Sequence, residues 1–180
     1  YMYRYKTSGD YFVSGNTGAG YVNPSFLIKP ARLSENPPGL DIWIDHNKKY
    51  LELFDIDITG FLLNSAMEPA SEIMDEYSKL TPRGIVSHNY YFGGKIYNGT
   101  PVIALSNIDG GIQNANAIKT ANEILTAAQS RSSAPKFYAI RTILCSPTYI
   151  KQISDVLSND PDIIIADPYT FFDALKQALG

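Results

Sequence analysis

Apolar positions recur along this chain in two alternating periods. Short, almost unbroken apolar runs, of the kind expected of strands buried on both faces, occur at Tyr11 to Ser14, Ile58 to Leu63, Gly84 to Ser87, Val102 to Leu105, Phe137 to Arg141 and Ile163 to Ala166. Between them, apolar residues fall three and four apart, the repeat that builds one face of a helix. Trp43, Asn47, Tyr50, Leu51 and Phe54 predict a helix over about 41 to 54, with Asp41 as its N-cap. Ile73, Met74, Tyr77 and Leu80 predict a helix opened by Pro69, and Ile118, Ala121, Leu125 and Ala128 predict one over about 115 to 130. Pro147 opens a fourth helix with Ile150, Ile153 and Leu157, and Phe171, Phe172, Leu175 and Leu179 line the last.

About six strands alternating with five helices predict an α/β fold with a mainly parallel sheet. A full barrel needs eight strands, so the sheet is either open, or a barrel of fewer strands, or an incomplete barrel finished by other residues. The Gly- and Tyr-rich stretch from Tyr90 to Thr100 interrupts the alternation and reads as a hairpin or long loop. Prolines between Asn16 and Gly39 predict an irregular loop with at most a short helix near Phe26 to Ile28. Residues 1 to 6 read as the last turn of a helix, and the start at Tyr1 as the beginning of a piece excised from a longer chain. One domain spanning 1 to 180 is therefore expected, with preceding domains of the same chain as its partners.

Charge narrows the partners. The net charge is −3 with both signs well mixed, so the sequence carries no footprint for nucleic acid or an anionic membrane. No apolar run approaches the roughly 18 residues of a membrane span. Cys145, the only cysteine, follows Ile143 and Leu144 and reads as a buried, inert thiol. Two histidines and no close ligand spacing predict no metal site and no cofactor, although a divalent ion on Asp109 or Asp167 stays open. Thirteen tyrosines, eight phenylalanines and one tryptophan suit either core packing or stacking on sugar rings.

In α/β folds ligands bind at the carboxyl ends of parallel strands. The residues there are Ser14 to Tyr21 after the first predicted strand, then Asn64 and Glu68 after the second, and His88 and Asn89 after the third. Asp109 follows the fourth and Asp167 the sixth. Ser146 and Asp167 each precede a proline, the arrangement of an ordinary N-cap. Glu68 also precedes one, but glutamate caps poorly, which leaves its carboxylate without a structural explanation. His88 reads equally as a hydroxyl-binding or proton-shuttling residue and as a structural one, and Asp109-Gly110-Gly111 equally as a site or a turn.

The glycine loop after the first strand lacks the Gly-Lys-Ser/Thr of a P-loop, and Pro24 argues against the helix of a dinucleotide site. Its sequence Gly18-Ala19-Gly20-Tyr21-Val22-Asn23-Pro24 resembles the signature of the GxGYxYP family of putative glycoside hydrolases, with Asn23 where the motif has its second tyrosine. The ending Ala166-Asp167-Pro168-Tyr169-Thr170-Phe171-Phe172 also looks like the close of that family's C-terminal domain. The resemblance implies a carbohydrate partner and an extracellular or periplasmic location. The resemblance fixes no catalytic pair; glycoside hydrolysis usually employs two carboxyl groups, and Glu68 and Asp109, each in a loop of small residues after an apolar run, are the expected pair. Gly18, Gly20, Tyr21, Asn23, Asn64, His88, Asn89 and Asp167 would line the sugar site. A carbohydrate-binding or scaffold domain without turnover, and a metal-assisted hydrolase or deacetylase, are the competing classes.

Overall fold

The computed structural model describes residues 2–15, 20–29, 37–62, 68–88, 91, 93–106, 110–111, 116–129 and 136–180. Among these, four strands form one open sheet in the order β1-β2-β4-β3. They are β1 (Ile58–Leu62), β2 (Gly84–Ser87), β3 (Lys95–Tyr97) and β4 (Thr100–Ala104). β1, β2 and β4 run parallel, and β3 folds back on β4 as the antiparallel arm of a hairpin. The α/β class holds, but the sheet is neither a closed barrel nor six-stranded.

Helices cover both faces of the sheet. α1 (Leu40–Leu53) and α2 (Ser71–Leu80) bring Trp43, Ile73, Met74 and Tyr77 onto Leu62, Ile85 and Val102. α5 (Pro168–Leu179) brings Phe172 and Leu175 onto Ile58, Val86 and Ile103 on the other face. Neighbours such as Ile85 and Val86 point to opposite faces, as strand geometry requires, and both are buried. That double burial explains the unbroken apolar runs. A Cβ on Gly84 would lie 2.3 Å from the ring of Phe172, so only glycine admits that ring against β2. α3 (Ala117–Gln129) and α4 (Pro147–Leu157) pack on each other through Ala121, Ile124, Tyr149 and Ile153, forming a separate core.

Three of the predicted strands are corrected. Tyr11 to Ser14 contributes one parallel bridge, Ser14 to Thr59, and Phe137 to Arg141 one, Ala139 to Leu105. Ile163 to Ala166 joins no strand at all, and Ile164 is 86% exposed. This run is the connection between two helices. Ile163 donates its N–H to Asp160 O in the turn after α4 and Asp167 already caps α5, so the run is spent bridging the two helices.

The capping readings divide similarly. Ser146 accepts from Tyr149 N, and Asp167 from Tyr169 N and Thr170 N, as ordinary N-caps. α1 instead starts at Leu40 behind Gly39, which moves Asp41 into the first turn, where its charge faces the positive helix end. α2 begins at Ser71, two residues after Pro69. Residues 2–5 and 24–27 are short 3-10 helices.

Candidate functional site

The carboxyl edge of the parallel strands is built around His88, the residue after β2. A register shift between Thr59 and Leu62 marks an irregularity in β1, and the ring of Phe61 in that stretch sits 5.2 Å from the His88 ring. Arg141 donates through a terminal guanidinium nitrogen to His88 Nε2 at 3.2 Å. Because guanidinium only donates, Nε2 is the acceptor and the neutral imidazole carries its proton on Nδ1. Burial, and then the Arg141 charge, hold the His88 pKa below its usual 6.5.

Arg141 is brought there by backbone contacts made far along the chain. Ser106 N donates to Ala139 O at 2.7 Å, and Ile143 N donates to Gly111 O at 3.0 Å. A Cβ on Gly110 would lie 2.4 Å from Arg141 O, so glycine is required for these two segments to touch. The buried Tyr149 hydroxyl donates to Gly110 O at 3.1 Å and lies 2.9 Å from Thr120 Oγ1, tying this loop to α3 and α4. Cys145 is half-buried, its Sγ directed at Gly111 O.

Glu68 is exposed, and its charge reaches Tyr91, whose phenol pKa is raised first by burial and then by this carboxylate. Tyr91 has φ 72°, an unusual backbone for a bulky residue. Its carbonyl accepts from Gly94 N at 3.0 Å and Ala104 N at 3.2 Å, which locks it beside the end of β4. Glu68 makes no ion pair among the described residues.

In the glycine loop, Gly20 has φ 86° and Tyr21 is 78% exposed. The Asn23 side chain accepts from Ser25 N at 3.0 Å, so it caps the following 3-10 helix. Asp167 lies elsewhere. Thr170 Oγ1 and two backbone N–H groups bind its carboxylate and hold its pKa low. Tyr169 beside it lies against Arg83 and Asp57, which precede β2 and β1, so α5 starts at the opposite edge of the sheet from His88. Gly18, Asn64, Asn89 and Asp109 fall outside the described residues.

Sequence reasoning overlooked Arg141, Phe61 and Tyr91. The available signal for Arg141 was a charged residue ending an apolar run; nothing local marked the other two. Among the described residues no group of three or more side chains could hold a metal ion. A groove of about 710 Å³ runs along the outer flank of α3 from Asn116 to Ala127 and includes none of the edge residues above.

The family model described as "GxGYxYP putative glycoside hydrolase C-terminal domain" matches residues 1–176. The chain belongs to this family. The GxGYxYP domain also aligns with the crystal structure of a protein called a putative hydrolase from Bacteroides thetaiotaomicron VPI-5482, with a TM-score of 0.64 and 22% identity. The alignment covers 99% of this chain and 35% of that chain, so the likeness shows the fold and the domain spans about a third of that protein. None of the curated proteins matches the sequence.

Proposed function

We propose that the GxGYxYP domain hydrolyses glycosidic bonds of an oligosaccharide or polysaccharide, with Glu68 and Asp109 as the carboxylate pair. Membership of a family named for glycoside hydrolysis carries this reading. Its geometric support is the exposed Glu68 carboxylate beside the constrained Tyr91, in the loop that follows β1. One carboxylic acid protonates the departing glycosidic oxygen, while the other carboxylate attacks the anomeric carbon or takes a proton from the attacking water. A separation of about 5 Å between the two would mean retention, and roughly 6.5–9.5 Å inversion. Gly18, Gly20, Tyr21 and Asn23 would wall one side of the cleft, and Asn64, His88 and Asn89 would orient hydroxyls. Asp167 serves α5 in this reading.

A longer protein would complete the cleft with its preceding domains, and polymeric substrates imply an extracellular or periplasmic location. The test uses that longer protein and measures reducing ends released from a panel of polysaccharides. Glu68→Gln and Asp109→Asn should each lower kcat by about 10²- to 10⁴-fold. Full activity in both variants removes the pair from the mechanism. Recognition without turnover is the second reading, favoured by the Phe61, His88 and Arg141 cluster, which contains no carboxylate. It predicts sugar binding with no reducing ends from any substrate. Loss of activity with a chelator, restored by a divalent ion, would instead indicate the metal-assisted class.

A further inference from the structure

The geometry points to an anionic carbohydrate as the ligand: we infer that Arg141, oriented by His88, which itself lies against the Phe61 ring, binds a carboxylate or sulfate group carried on a sugar. The inference rests on the carbohydrate reading of the same edge and specifies its substrate class.

Arg141 is exposed, and among the described residues no carboxylate lies within ion-pair distance of it. Its one side-chain hydrogen bond there goes to a neutral imidazole, which fixes the plane of the guanidinium without neutralising it. The remaining N–H groups of that fork suit the two oxygens of a carboxylate or sulfate. The site is built rather than casual. Gly110 admits the Arg141 backbone at a distance no other residue tolerates, and Ala139 and Ile143 on either side are hydrogen-bonded to neighbouring segments. Phe61, 5.2 Å from the imidazole, adds an aromatic face of the kind that stacks on sugar rings. The protein carries net charge −3, so attraction of a polyanion to this edge must be local.

The experiment compares polymers that share a backbone and differ in charge: homogalacturonan with its methyl ester, and a sulfated galactan with its desulfated form. Binding to the full-length protein is measured by affinity electrophoresis and calorimetry. At least one acidic member should bind about tenfold or more tightly than its neutral twin, and Arg141→Gln should remove that advantage. Arg83→Gln makes the same change in net charge at the opposite edge and should leave it intact. Which pair discriminates tells carboxylate from sulfate. Equal binding within both pairs, or an advantage that survives Arg141→Gln, overturns the inference. If neutral polymers bind regardless of Arg141, the carbohydrate reading survives without it; if none of the four is bound or cleaved, both fail.

Discussion

At the edge where β1 and β2 begin, Arg83 lies 2.9 Å from Asp173 and 3.9 Å from Asp57, with its guanidinium 4.4 Å from the centre of the Tyr169 ring. At the edge where the parallel strands end, the Arg141 side chain hydrogen-bonds only to His88 among the described residues. One arginine joins α5 to two strand entrances and has its charge matched by carboxylates. The other is held in place by backbone contacts and a neutral ring, and among the described residues no carboxylate pairs with it. The residue type is the same, but among the described residues the partners differ: Arg83 ties elements together through carboxylates, whereas Arg141 meets a neutral ring, which is why the ligand inference falls on Arg141.

The largest expected effect concerns the anchored edge. Phe172 is 2% exposed and fills the space over Gly84, so Phe172→Ala should cost about 3–5 kcal/mol in denaturant unfolding. Arg141→Gln in the same assay should change stability by no more than about 0.5 kcal/mol, because it removes one bond at an exposed position. A large loss from Arg141→Gln would erase the contrast between the two edges.

Arg83→Gln should fall between these, at about 1 kcal/mol or less. Its ion pairs are partly exposed, and Asp173 is 63% accessible, so solvent screens much of the Coulombic gain. Its effect should shrink as salt is raised.

The smallest effect sharpens the description of the ligand edge. By NMR, His88 should titrate below 6.5, because burial and Arg141 both oppose protonation. Arg141→Gln should raise that midpoint but leave it under 6.5, since burial, the larger cause, remains. The folded-state pKa is depressed, so the associated stability is present above about 6.5 and lost as pH falls through the lower folded value. A midpoint unmoved by Arg141→Gln would mean that the two side chains do not interact in solution.

Much of the framework is legible without coordinates because it is local. The helical repeats of Trp43 to Phe54 and of Ile73 to Leu80 reflect faces that must meet the sheet, and Ser146 and Asp167 cap through atoms two and three residues away. Gly84 to Ser87 reads as a strand because both its faces are covered. Local pattern cannot tell such a run from one that merely connects helices. Ile163 to Ala166 has the same composition as a buried strand, yet it spans the gap from α4 to α5 with Ile164 and Ile165 exposed.

The sequence by itself therefore determined the five helices and their faces, the three parallel strands between them and the family signature around Gly20, and it left Tyr90 to Thr100 as either a hairpin or a long loop. Tertiary structure decided which runs join the sheet and which edge each loop reaches. Asp167 follows an apolar run, as His88 does, but lies at the opposite edge because its run never enters the sheet. His88 and Arg141 meet across 53 residues only because Ala139 reaches Leu105 and Gly110 lets two backbones touch. Periodicity and capping arise within a few residues of chain, whereas a site between loops is a property of their packing.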